Sequence, residues 1–372
     1  MGDRQLAVID VQPGSAMESQ SGLQMLRPRI YGAYAQPAGA KTGVIVIHPT
    51  SNFMGHYLIA PLAACGICCL GLNTRYQNND TMLLMERAIQ DLGAGVKFLR
   101  GLGCERVLLV GNSGGAALVS FYQAQAENLT VTSTPAGDPV DIVASDLPPA
   151  DGIILAAAHP GRSRIIREYL DASVIAEDDP VSADPALDIY NPENGPPFAP
   201  DFLARYTAAQ QARAARIDAW VEGRLRFLAA RPDGPRDQAF VVYRTLADPR
   251  CLDLSLDAND RPPGSIWGPP RDVNYAANSM GRFTTLKAYM SQWSAKSQAD
   301  GPDNLAKTNA PVLLLRYTAD GATFPSHNRL WADAAGPRAE IHDVKNANHY
   351  LKDQPELVEE VADRIAAWAE RL

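Results

Sequence analysis

Ser113 stands in Gly111-Asn112-Ser113-Gly114-Gly115, after the apolar run Val107-Leu108-Leu109-Val110 and before Ala116-Ala117. This is G-x-S-x-G between a predicted strand and a predicted helix, a context that presents a serine hydroxyl as a nucleophile. So sharp a turn strains the backbone. Gly111 and Gly115 remove side chains that would collide across it, and Gly114 leaves the N–H behind the serine open to a reacting atom. A serine hydroxyl is a poor nucleophile near neutral pH. It needs a base within hydrogen-bond reach and a third group to orient that base.

The histidines are His48, His56, His159, His327, His342 and His349. His349 lies in Asn346-Ala347-Asn348-His349-Tyr350, between the last predicted strand and the last predicted helix. In an open α/β sheet, loops leaving the carboxyl ends of strands gather along one edge. His349 is therefore expected to meet Ser113, whereas His342, inside a strand, reads as packed or surface. The orienting acid should leave another strand at that edge. Asp320 does so, in Tyr317-Thr318-Ala319-Asp320-Gly321. Asp343 is its competitor, nearer to His349 in sequence but on the strand itself. The expected catalytic set is Ser113, Asp320 and His349.

The elements that must place these groups follow from hydrophobic periodicity. Strands are predicted over 6–11, 29–34, 43–47, 66–72, 106–110 and 151–157. Residues 43–47 and 66–72 are continuous apolar runs, as expected of strands covered on both faces. Helical spacing is predicted over 82–99 and 114–127. From about 160 to 310 the β/α alternation stops, and only 200–230 and 283–293 read as helices. Alternation then resumes with a strand at 311–316, a helix at 326–334, a strand at 339–344 and a helix at 355–372. The prediction is an α/β protein with a mostly parallel sheet, helices on both faces and a large, mainly helical insertion. Residues 1–160 and 310–372 form its core, and 161–309 its cap.

Composition narrows the function. The 372 residues are 46% hydrophobic and 20% charged, as in ordinary globular proteins, and the net charge of −8 with no basic run argues against nucleic acid. The longest apolar stretch, 57–72, is broken by Pro61 and Gly66 and is too short to span a bilayer. No secretory leader is apparent, so a cytoplasmic protein is expected. Cys65, Cys68, Cys69, Cys104 and Cys251 read as structural, because Cys68 and Cys69 fall inside an apolar run and no second pair sits at ligand spacing. Neither metal nor organic cofactor is expected. The expected partner is a small-molecule substrate, with self-association into a homodimer left open, and neither nucleic acid nor a membrane.

The order Ser113, Asp320, His349 resembles that of the α/β-hydrolase fold family, and the resemblance covers roughly 1–160 and 310–372. It implies a cap between the sixth and seventh strands. It also implies an oxyanion hole of two backbone N–H groups, one from Gly114 and one from the loop after the third strand. That loop is His48-Pro49-Thr50-Ser51-Asn52-Phe53. Many relatives carry His-Gly where this chain has His-Pro. Pro49 has no N–H, which leaves Thr50, or else Ser51, as the donor. In relatives the residue matching His48 is structural. The implied activity is that of a serine hydrolase, most simply a carboxylesterase acting on a small, largely apolar ester. The same triad also serves carbon–carbon bond hydrolases, thioesterases, amidases and acyltransferases, and a non-catalytic small-molecule receptor is a further alternative.

Some residues carry weaker expectations. His159 leaves a strand at the catalytic edge, where it either lines the pocket or packs. Arg75 either holds a substrate carboxylate or pairs with Asp80 or Glu86. Glu177-Asp178-Asp179 lacks the spacing of a calcium loop and reads as a solvated surface. Trp267, Tyr275, Phe283, Tyr289 and Trp293 either wall a pocket over Ser113 or form the cap core, with Trp267, Phe283, Ser51 and His159 as candidate substrate contacts.

Overall fold

The computed structural model describes residues 4–13 and 28–372. In chain order the first elements are β1 (Gln5–Asp10), β2 (Arg29–Ala35), β3 (Thr42–His48), helix α1 (Ile59–Ala64), β4 (Cys68–Asn73), α2 (Met85–Gly101), β5 (Arg106–Asn112), α3 (Gly115–Glu127) and β6 (Gly152–Ala156). The insertion carries α4 (Arg162–Tyr169), α5 (Pro200–Ala229), β7 (Ala239–Val241), α6 (Pro270–Tyr275), β8 (Phe283–Thr285), α7 (Leu286–Gln292) and α8 (Gly301–Leu305). The chain closes with β9 (Val312–Tyr317), α9 (Pro325–Ala335), β10 (Ala339–Val344) and α10 (Pro355–Ala369).

Eight strands form one sheet in the order β1-β2-β4-β3-β5-β6-β9-β10, and β7 and β8 form a separate antiparallel ribbon. β2 runs antiparallel to both β1 and β4, and all other neighbours in the large sheet are parallel. After β4 the chain returns to the far side of β3 to lay down β5. The order therefore reverses beside β3, and such a switch point is where ligands bind in open α/β sheets.

Alternation along the central strands divides their side chains between two cores. Ile45, Ile47, Leu109, Leu155 and Leu314 join one cluster with α2, α3 and Trp331 of α9. Val44, Val46, Val110, Ile154 and Leu313 join the other with Ile59 of α1 and Ile365 and Trp368 of α10. Cys68 and Cys69 fall on opposite faces in the same way. The insertion has its own cluster, with Ile217 and Val221 of α5 against Tyr289 and Trp293. Its end belongs elsewhere: Ala299 and Leu305 pack into the sheet cluster.

Candidate active site

Ser113 sits where β5 turns into α3, with φ at +54°, in the left-handed region that a non-glycine residue occupies only when its surroundings hold it there. The surroundings are tight. A Cβ on Gly115 would lie 2.0 Å from the Ile47 carbonyl oxygen of β3, so no other residue lets α3 approach the sheet so closely. The α3 N-terminus, with its partial positive charge, points at the serine.

The Ser113 hydroxyl donates to His349 Nε2 at 3.1 Å, and His349 Nδ1–H donates to Asp320 Oδ2 at 2.8 Å. His349 follows β10 and Asp320 follows β9, as the sheet-edge argument requires. Asp320 is fully buried and well held. Its Oδ1 accepts from the N–H groups of Ala322 and Thr323 at 2.7 and 3.0 Å, and its Oδ2 accepts from the Thr323 hydroxyl at 2.6 Å. Burial alone would raise this carboxyl, but His349 and these hydrogen bonds hold it below the usual aspartate range. Asp343 is not at the site. Its carboxylate pairs with Arg316 at 2.5 Å on the half-exposed surface of the neighbouring strands.

The loop after β3 departs from expectation. The Thr50 and Ser51 N–H groups both donate to His48 Nδ1, at 3.1 and 2.9 Å. With Pro49 lacking an N–H, the loop folds back over the imidazole, and the backbone donors assigned to an oxyanion are already engaged. Thr50 faces the cavity with its side chain, whose Oγ1 accepts from Arg162 at 3.1 Å. Gly114 lies directly behind Ser113, and no acceptor among the described residues takes its N–H.

A cavity of about 650 Å³ opens over Ser113. Its lining includes the apolar and aromatic side chains of Phe53, Tyr57, Ile165, Tyr169, Trp267 and Met280. Asn52, Asn78, Asn79, Asp80 and Arg162 contribute polar groups to the same lining. His159, Ser51 and Trp267 line it as expected, and Trp267 meets Tyr169 edge-to-face at 6.0 Å. Phe283 does not. It lies on the ribbon strand β8 with 46% of its surface exposed, while Thr284 takes the inward position. Tyr289 and Trp293 are core residues of the insertion, and Tyr275 stacks under Arg244. Arg75 is structural, but its partner is the buried Asp91 at 2.7 Å rather than Asp80 or Glu86. Glu177 is no free surface acid, since it pairs with the buried Arg213 at 2.7 Å.

Two residues at the site were not singled out from the sequence. Arg162, the first residue of α4, is 8% exposed, pairs with Asp80 at 3.1 Å, bonds to Gln292 and stacks 4.8 Å from the Trp293 ring. The signal was present: it follows His159-Pro160-Gly161 directly where the chain leaves β6. Thr323 was legible too, because an aspartate followed three positions later by threonine is the pattern of a turn that closes on its own carboxylate.

No family model matches the chain, and none of the curated proteins matches it either. Among solved structures, the chain is similar to DcsB, determined with a substrate analogue, at 12% identity over 99% of each chain and a TM-score of 0.52. It is similar to the esterase domain of a Rhodothermus marinus protein at 11% identity, over 99% of each chain, with a TM-score of 0.46. A monoacylglycerol lipase from Paleococcus ferrophilus aligns at 18% identity over 91% of this chain and 97% of that one, with a TM-score of 0.44. The likeness to DcsB is one of architecture, and with the strand order it defines the fold as that of the α/β-hydrolases, with a large and mainly helical cap insertion.

Proposed function

We infer that this protein is a serine hydrolase that cleaves a small ester through an acyl-enzyme. The observation that carries this reading is the continuous hydrogen-bond line from Ser113 through His349 to Asp320, opening into the cavity. Ser113 Oγ attacks the ester carbonyl carbon while its proton passes to His349 Nε2, and the carbonyl π pair moves onto oxygen. Asp320 fixes the Nδ1–H tautomer and stabilises the imidazolium. The Gly114 N–H and the α3 N-terminus stabilise the oxyanion. When the tetrahedral species collapses, His349 returns the proton to the departing alkoxide. Water then repeats the sequence on the acyl-enzyme, with His349 as base. A lining that combines Trp267 and Tyr169 with Asn52 and Asn79 favours an ester that carries both an apolar and a hydrogen-bonding portion. This modifies the largely apolar substrate expected from the sequence.

The test is labelling with a fluorophosphonate, followed by mapping of the modified peptide. Ser113 should be the labelled residue. Ser113→Ala should lose both labelling and turnover of a short activated aryl ester, the latter by several powers of ten. A Ser113→Ala protein that hydrolyses the ester at the original rate overturns the reading.

A further inference from the structure

We propose that the side chains of His48 and His159 supply the part of the oxyanion hole that the β3 loop backbone does not, each through an Nε2–H donor aimed at the space over Gly114. The proposal rests on the serine-hydrolase reading above and names further groups that touch the reacting atoms.

Three observations carry it. The first is the tautomer. His48 Nδ1 accepts from two backbone N–H groups, at 3.1 and 2.9 Å, and His159 Nδ1 accepts from Gly161 N–H at 3.2 Å. A ring nitrogen that accepts carries no proton, so in each neutral imidazole the proton resides on Nε2. The second is convergence. A Cβ on Gly114 would lie 2.8 Å from His48 Nε2 and 2.9 Å from His159 Nε2. The two rings therefore flank the residue whose N–H is the expected oxyanion donor, and glycine at 114 is what leaves room for them. The third is availability. Neither Nε2 has a hydrogen-bond partner among the described residues, and both rings line the cavity over Ser113.

The protonation state agrees with the geometry. Burial, with the Arg162 guanidinium adding to it, keeps His48 well below the ordinary histidine range and brings His159 down to about 3. Both rings are neutral donors at physiological pH and cannot compete with His349 for the serine proton. The β3 loop thus passes its hydrogen bonds through an imidazole: two backbone donors polarise Nδ1, and the opposite N–H faces the cavity. The ligand this arrangement takes is a carbonyl oxygen that becomes an oxyanion when Ser113 Oγ bonds to its carbon. No proton moves to it, and the charge is held by donors alone.

The first experiment uses the unaltered protein. Two-bond ¹H–¹⁵N correlation spectra should show His48 and His159 as Nε2–H tautomers. Addition of a phenylboronic acid, which forms a tetrahedral adduct on Ser113, should shift both Nε2–H protons downfield. A Nδ1–H tautomer on either ring, or Nε2–H resonances that ignore the adduct, overturns the proposal. The second experiment separates donating from loop-holding. His48→Asn keeps an acceptor near the Nδ1 position and removes the distal donor, so kcat should fall about 10²- to 10³-fold with KM changed far less. His48→Gln places an amide N–H near Nε2 and should recover much of that loss. A residue that only holds the loop would show the reverse order, with Asn tolerated and Gln impaired, and that result overturns the proposal. Fluorophosphonate labelling of Ser113 in the unaltered protein is the common control. If it fails, the serine-hydrolase reading fails, whereas labelling with a fully active His48→Asn removes this inference alone.

Discussion

The sheet and the insertion bury their interiors by different physics. Around β3, β5 and β6 nearly every buried side chain is aliphatic, and the strands meet through ladder hydrogen bonds. The insertion buries arginines. Arg213 and Arg244 are essentially solvent-free. Arg244 pairs with the fully buried Asp171 at 2.6 Å and bonds to Ser173, while Asn274 donates to the same carboxylate at 2.7 Å. Arg213 donates to the carbonyls of Asp171, Tyr243 and Arg244. Apolar burial is non-directional and tolerates volume-conserving swaps. A buried ion network is directional and punishes the loss of any one partner. The sheet thus holds the reactive geometry on an apolar core, while the insertion adds a set of directional partners to its own apolar cluster.

The sharpest contrast within the sheet is between its two aspartates. Asp320→Asn should lower kcat on an activated ester by about 10⁴-fold through loss of the His349 tautomer. Asp343→Asn, which removes only a surface partner of Arg316, should stay within about twofold. Steady-state kinetics on both variants decides it, and the opposite ranking would move the acid to β10.

In the insertion, Asp171→Ala leaves Arg244 buried and unpaired. It should cost about 3–5 kcal/mol in urea unfolding, while Asp171→Ala combined with Arg244→Met should recover a good part of that. A cost under about 1 kcal/mol for the single change would mean that the insertion is held together as the sheet is.

The seam between the two regions has a pH dependence of its own. Glu86, at the start of α2, accepts from the Ser291 hydroxyl of α7 at 2.7 Å and from Gln298 at 3.2 Å. Burial raises its carboxyl to about 7 against these hydrogen bonds. The folded state therefore holds this proton more tightly than the unfolded chain does. Its contribution to stability is complete below the ordinary glutamate value and is lost as pH rises through about 7, a change of about 3 kcal/mol. Glu86→Gln should flatten that part of the stability curve, measured as urea midpoints at pH 5 and pH 8. An unchanged slope would place the titration elsewhere.

What could be read from the chain follows the same division. β10 was expected at 339–344 and spans Ala339–Val344, and α5 differs from its expected span by a single residue, because long periodic runs report their own burial. Asp320 and His349 are legible because both lie in loops that leave the carboxyl edge of the sheet. What the residues alone do not carry is direction. The lack of an N–H on Pro49 is a property of the residue, but the turning of the Thr50 and Ser51 N–H groups onto His48 is a property of the folded loop. Phe283 is aromatic, yet in a three-residue strand nothing local says which side faces inward. α4, whose sequence Arg-Ser-Arg-Ile-Ile-Arg-Glu-Tyr is mostly polar, went unrecognised because its buried face includes Arg162 and Ser163.

Arg162 gives the insertion a fixed address. As the first residue of α4 it reaches Asp80 and Thr50 in the loops of the sheet, Gln292 in α7 and the Trp293 ring at once. An insertion whose first helix opens on a cation shared between partners in both regions is not an interchangeable cassette. A grafted lid without an arginine at that position would leave Asp80 at the cavity without its counter-ion. A change at residue 162 that keeps the cavity's charge balance therefore calls for a matching change at residue 80.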